Sequence, residues 1–232
     1  DLLYNSLPLC LNAWGWGKYQ NRVVTCFDSF RERSIIMWGD KRMDFMSIIR
    51  ESERLVVRPM REDDFEIILE SLKEQGTQQN EYDVDEIELT DVFTEAFCKE
   101  TADTLVQYAK SDRAYEFKVF KKEDGSYIGG VIIKTIKRRN FQWAEVGYWL
   151  LNQHWGKGYG SEMVKVMNDI AFKELGFHRL EAHINLDNIA SQKTAEAAGM
   201  KFECIRKGFI FESDAWTDHM IYVINNTNCT GL

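Results

Sequence analysis

The order of apolar runs and turn residues predicts an α+β (mixed α/β) fold built on one mostly antiparallel sheet. Three observations predict it. A short β-branched run at 54–58 passes directly into helical spacing; three strand-sized runs then follow in series between turns; and a glycine-rich loop opens a stretch in which helices and strands alternate.

RLVVR at 54–58 closes on Pro59, and Phe65, Ile68, Leu69 and Leu72 then recur at spacings of three and four, which reads as strand then helix. Val92, Ala96, Leu105 and Tyr108 place a second helix over about 85–110. The runs 115–120, 127–136 and 142–151 read as strands of a meander, separated by the turn-rich KKEDGS and the basic KRRN. Met163, Val166, Met167, Ile170, Ala171 and Phe172 then mark an amphipathic helix that stops at Gly176. A strand at 178–185, a helix at 189–198 ended by Gly199, and strands at 202–211 and 215–224 complete the order β-α-α-β-β-β-α-β-α-β-β. Residues 1–50 hold no sustained period and are read as an N-terminal extension of unknown role; Met43 and Met46, just before the first clear strand, mark an alternative natural start. That leaves a domain at 51–226 and a tail at 227–232.

With 44% hydrophobic and 28% charged residues the chain has globular composition, and no run of about 18 apolar residues would span a membrane. Five cysteines are scattered with no CxxC pair, which suggests neither a zinc site nor a disulfide framework and fits a reducing, cytoplasmic setting. His178 and His183 fall on opposite faces of one strand, so no metal is expected. The net charge of −8 disfavours nucleic acid and anionic membrane as partners. Residues 61–103 carry fifteen Asp or Glu against three Lys or Arg, a local −12 that suits a cationic partner or a solvated helical face.

QHWGKGYG at 153–160 sits between a strand and a helix. There, glycines 156, 158 and 160 let a diphosphate approach main-chain N–H groups at the positive end of the helix dipole, with the Ser161 hydroxyl alongside. A tight turn without ligand has the same appearance. The spacing is neither GxGxxG nor GxxxxGK[ST], which disfavours nucleotide hydrolysis.

Gln153, Gly156 and Gly158 resemble the [QR]xxGx[GA] signature of the GNAT (GCN5-related) N-acetyltransferase superfamily. Asn188, Ser191, Glu196 and Gly199 resemble the NxxSxxxxExxGF motif of its RimJ/RimL-type branch, and ERLVVRPMREDD, AEVGYWL and DAWTDHMIY its first, fourth and last strands. This resemblance, over about 53–225, implies a seven-stranded sheet with splayed fourth and fifth strands and four flanking helices. It implies acetyl-CoA as co-substrate: the pantetheine arm along Trp149, Leu150 and Leu151, the pyrophosphate on Lys157, Gly158, Tyr159, Gly160 and Ser161, and Asn188 on the arm unless it is only a helix cap. The implied reaction is attack by a neutral amine on the thioester, with the oxyanion held by an N–H near Leu150 or Leu151.

The resemblance implies Ser191 as general acid, since Ala195 stands where other branches carry a tyrosine. Glu145, beside Gly147 and Trp149 on one strand face, is the candidate base, with pairing to a nearby Lys or Arg as the rival reading. Ile210 stands where a RimL-like base glutamate is expected, with Glu212 two residues on. The expected acceptor is a protein N-terminal α-amine; a polyamine or antibiotic amine, or a noncatalytic acyl-CoA-binding module, are the alternatives. A homodimer is expected for this branch.

Overall fold

A computed structural model of the chain describes residues 44–83 and 94–227. The eight strands among the described residues form one sheet in the order β1-β2-β3-β4-β5-β6-β8-β7. They are β1 (Arg50–Glu51), β2 (Leu55–Arg58), β3 (Ala114–Lys121), β4 (Tyr127–Lys137), β5 (Trp143–Leu150), β6 (Arg179–Asn185), β7 (Lys201–Glu212) and β8 (Ala215–Asn225). The helices are α1 (Phe65–Lys73), α2 (Glu95–Lys110), α3 (Tyr159–Lys173) and α4 (Ile189–Ala197). Every adjacent pair is antiparallel except β5–β6. The mixed α+β GNAT-type fold with four helices is thus present, and the two-residue β1 adds an eighth strand to the seven expected. The expected first turns of the second helix, 85–93, lie outside the described residues, as do 1–43 of the extension and 228–232 of the tail.

Period-2 alternation decides which side chains reach the core. Tyr115, Phe117 and Val119 on β3, Val131 and Ile133 on β4, Ala144 and Val146 on β5, and Leu180, Ala182 and Ile184 on β6 all enter one buried cluster. Met163, Met167, Ile170 and Ala171 of α3 and Ala195 of α4 close over them, the apolar stripe that the spacing of three and four predicts. Phe45 and Ile48, assigned from sequence to the extension, are buried in this cluster as well, so packing starts six residues earlier than the expected boundary at 51. Six residues around a 3₁₀ turn are too few to show a period.

The opposite sheet face mixes apolar side chains, Phe120 and Ile132 among them, with buried charge. Glu116 and Lys118 of β3 form a buried ion pair (2.6 Å), with Cys98 of α2 close enough to feel the lysine charge. α2 packs on β3 and α1 on β4, where Ser71 Oγ accepts from the Tyr127 N–H (3.1 Å).

Candidate active site

The one parallel pair in the sheet is also where two long strands part. β5 and β6 pair only through Trp143–Arg179, Ala144–Leu180 and Glu145–Glu181. Both strands continue, to Leu150 and Asn185, without further pairing to each other, so a wedge opens between them. Leu151 N–H donates to Ile128 O on β4 (2.9 Å), and alternation then turns the N–H groups of Tyr148 and Leu150 toward the wedge with no strand opposite. Of the two expected oxyanion donors, Leu151 is therefore spent within the sheet and Leu150 is available.

The wedge widens toward the glycine loop. Trp155 Nε1 donates to Leu150 O (2.8 Å) and closes the turn, after which Gly156 and Gly158 take φ of +71° and +80°, backbone that a Cβ would strain. Gly158 caps α3, and its carbonyl accepts from Glu162 N–H (3.3 Å) and Ser161 Oγ (3.1 Å). The N–H groups of Tyr159, Gly160 and Ser161 precede the first intrahelical bond and point out of the helix start, the donor set that suits a phosphate. Lys157 Nζ bonds Gln153 O (3.0 Å). Arg54, not anticipated from sequence, donates to Lys157 O (2.9 Å), stacks 4.4 Å from the Tyr159 ring centroid and pairs with Glu162 (2.6 Å). Gln153 turns the other way: its Nε2 donates to Ser71 O (2.9 Å) and its Oε1 is buried with no partner. The glutamine ties the loop to α1 rather than facing the loop amides.

Across the wedge, α4 begins with a closed set of bonds. Asn188 Oδ1 accepts from Ser191 N–H (3.0 Å), a helix cap. Ser191 Oγ donates to the Tyr148 hydroxyl (3.0 Å), which donates to Ser191 O (2.9 Å). Burial pushes the Tyr148 phenol up to about 12, so it stays protonated at neutral pH. Tyr148 was missed because GYWL reads as an apolar strand; only the alternation, which sends it inward with Val146 and Leu150, singles it out.

Glu145, Gly147 and Trp149 share the sheet face opposite the core cluster, as expected. Glu145 accepts from Lys134 Nζ (3.3 Å) and lies 4.0 Å from His183 Nδ1, so the pairing named as its rival reading is present, with Glu145 still partly exposed. The Trp149 indole lies across Gly130, where an added Cβ would come within 2.2 Å of the ring, and its Nε1 donates to Tyr127 OH (3.0 Å). Burial alone would raise the Glu181 carboxyl, but the His183 hydrogen bond and the Arg179 and Arg206 guanidiniums outweigh it and bring it down to about 2. Further along, Asn185 Nδ2 and Thr217 Oγ1 donate to Glu212 and His219 Nε2 lies 3.5 Å from it, while Tyr82 OH donates to Asp187. Ile210 and Glu212 pair with Thr217 and Ala215 on β8, so Glu212 keeps the face that Ile210 has.

A wedge in a mixed sheet, ending on the amides of a helix start, is a site shaped for an extended arm that ends in an anion. The acetyltransferase (GNAT) domain family matches residues 54–201, and the chain belongs to that family. The probable N-acetyltransferase YjcK of Bacillus subtilis (strain 168) is 36% identical over 117 residues, which is 50% of this chain and just under two thirds (65%) of that protein. Among solved structures, ribosomal-protein-S5-alanine acetyltransferase from Vibrio fischeri is 26% identical at a TM-score of 0.62, covering 78% of this chain and 98% of that one. Mycobacterium smegmatis RimJ, solved with CoA-disulfide, shares the fold at 19% identity and a TM-score of 0.61, covering 76% and 84%. Among the described residues no cluster of His, Cys, Asp and Glu could hold a metal ion, and no helix is long and apolar enough to cross a membrane.

Proposed function

We propose that the chain transfers the acetyl group of acetyl-CoA to the N-terminal α-amine of a protein. The observation that carries the donor is the wedge: the Tyr148 and Leu150 N–H groups face it without a strand opposite, and the amides of Tyr159, Gly160 and Ser161 stand at its wide end. This donor set fits an extended amide-bearing arm that ends in a diphosphate. Acetyl-CoA would supply a thioester whose carbonyl carbon takes up the amine. Leu150 N–H then holds the oxygen as it gains charge. Glu145 takes one proton from the attacking nitrogen, and Ser191 Oγ gives one to the departing sulfur. Ser191 is reprotonated from solvent and Glu145 releases its proton there, so the amide forms, the C–S bond breaks and the proton count balances.

The likeness to a ribosomal-protein-S5-alanine acetyltransferase supports a protein acceptor. So does the chemistry: an α-amine, with pKa roughly 7.7 to 8.0, is partly neutral at pH 7, whereas a lysine amine near about 10.4 is almost wholly protonated and asks more of a base. Release of free thiol from acetyl-CoA with a peptide panel tests the proposal. Turnover is expected with free N-termini and not with N-acetylated copies of the same peptides; transfer to lysine-only acceptors would overturn it. Asp187 and Glu212, with Tyr82 bonded to Asp187, favour a small polycationic amine as the second reading. Competition between peptide and spermidine separates the two.

A further inference from the structure

The mechanism above uses the Ser191 hydroxyl and leaves the one side chain bonded to it unassigned. A serine O–H rotates freely about its Cβ–Oγ bond and, at the partly exposed start of a helix, has water as an alternative partner. Here two bonds remove that freedom. The Ser191 Oγ–H is held by the Tyr148 oxygen at 3.0 Å, and the Tyr148 O–H is anchored in turn on the Ser191 carbonyl at 2.9 Å. Asn188 Oδ1 fixes the same residue from its N–H at 3.0 Å. Tyr148 is also the residue of β5 whose backbone N–H faces the wedge next to that of Leu150, so one residue reaches both the wedge edge and the α4 serine.

We propose that Tyr148 is the positioning residue of the acetyl transfer: its phenol oxygen holds the Ser191 hydroxyl at the wedge and hands the serine proton over to the leaving sulfur by exchange of one hydrogen bond for another. The inference rests on the proposed function, in which Ser191 protonates the departing thiolate. Tyr148 is no net proton donor: its hydrogen rests on the Ser191 carbonyl, and any proton it lends to the Ser191 oxygen after transfer is restored from solvent. The step therefore adds nothing to the proton count: one proton leaves nitrogen for Glu145, one leaves Ser191 for sulfur, and solvent restores both. The tyrosine contributes by keeping the Ser191 Oγ at the wedge and its hydrogen off water, so that one swing of that hydrogen from the phenol oxygen to the sulfur is all that transfer requires.

A double-mutant cycle on the full chain tests this, with steady-state rates, CoA affinity by calorimetry and melting temperature measured for each variant. Tyr148→Phe is expected to lower kcat about 10-fold while KM for acetyl-CoA and the Kd for CoA stay within about twofold, a fraction of the ~10²-fold loss expected for Ser191→Ala. In the Ser191→Ala background, Tyr148→Phe should cost nothing further. Ser191→Thr, which keeps the hydroxyl, should recover most of the lost rate when Tyr148 is present and little of it when combined with Tyr148→Phe. Equal losses from Tyr148→Phe in both backgrounds, or a rise in KM without a fall in kcat, would overturn the positioning role while leaving the transferase reading intact. If Tyr148→Phe melts below the assay temperature, Ser191→Thr alone decides: rates no better than Ser191→Ala with Tyr148 in place refute the hydroxyl pair. Absence of turnover in the unmodified chain on every amine would instead count against the proposed function itself.

Discussion

At the scale of single residues, the chemistry separates groups that act from groups that hold. Ser191→Ala is expected to lower kcat about 10²-fold with CoA affinity retained, because Asn188 can still cap α4 through the backbone N–H at position 191. Glu145→Gln should do the same to kcat, and stopped assays at saturating acetyl-CoA check both. Glu181 belongs to the holding class. Its carboxyl, about 2 in the folded chain against 4.5 in the open one, contributes stability that is complete above pH 4.5 and is lost as pH falls through 2. Glu181→Gln should therefore destabilise the chain at pH 7 by on the order of 3 kcal/mol, with the gap to wild type closing on acidification below about pH 4.5 in denaturant titrations. Sequence made Asn188 and Ser191 legible because a local motif carries them. It could not show that Gln153 turns to Ser71, that Lys134 and His183 flank Glu145, or that Tyr148 meets Ser191, since each contact joins residues at least eleven positions apart and depends on strand register.

At the scale of elements, period and punctuation carried most of the fold into view. The four helices and seven longer strands fall where spacing of two or of three and four places them, because one face of each is buried and must be apolar. What spacing does not reveal is why certain strand positions are glycine. Gly130 reads as part of an apolar run, yet its role is set by Trp149 on the neighbouring strand, whose indole occupies the space above it. Gly130→Ala would put a methyl 2.2 Å from that ring and push the indole off its bond to Tyr127, a loss of about 1–3 kcal/mol by overpacking, read as a lowered melting temperature. Gly158→Ala acts on the loop instead. With φ at +80° an alanine there is strained by about 1–2 kcal/mol, and relief of that strain would turn the α3 amides away from a diphosphate. CoA affinity should fall by more than stability does, which calorimetry and thermal melts together resolve.

At the scale of the whole molecule, the sheet is two antiparallel halves joined by three parallel residue pairs and by the helices packed on their shared core face. A sheet can leave two strands apart only if other contacts hold the halves, and α3 and α4 supply them through Met163, Met167 and Ala195. The seam is then the natural place for a ligand: filling it adds acceptors for the Tyr148 and Leu150 amides and joins β5 to β6 beyond Glu181. Two outcomes follow from one cause. Any ligand that binds only the folded chain stabilises it by mass action, about 2.7 kcal/mol when CoA is present at about 100 times its Kd, so the melting temperature should rise with CoA concentration. Amide hydrogen exchange should slow at Tyr148 and Leu150 in the same titration, while Trp149 and Leu151, whose N–H groups face β4, should change little because they are already bonded within the sheet. Protection rising equally at all four would mean that CoA stiffens the sheet as a whole instead of pairing with the free edge of β5.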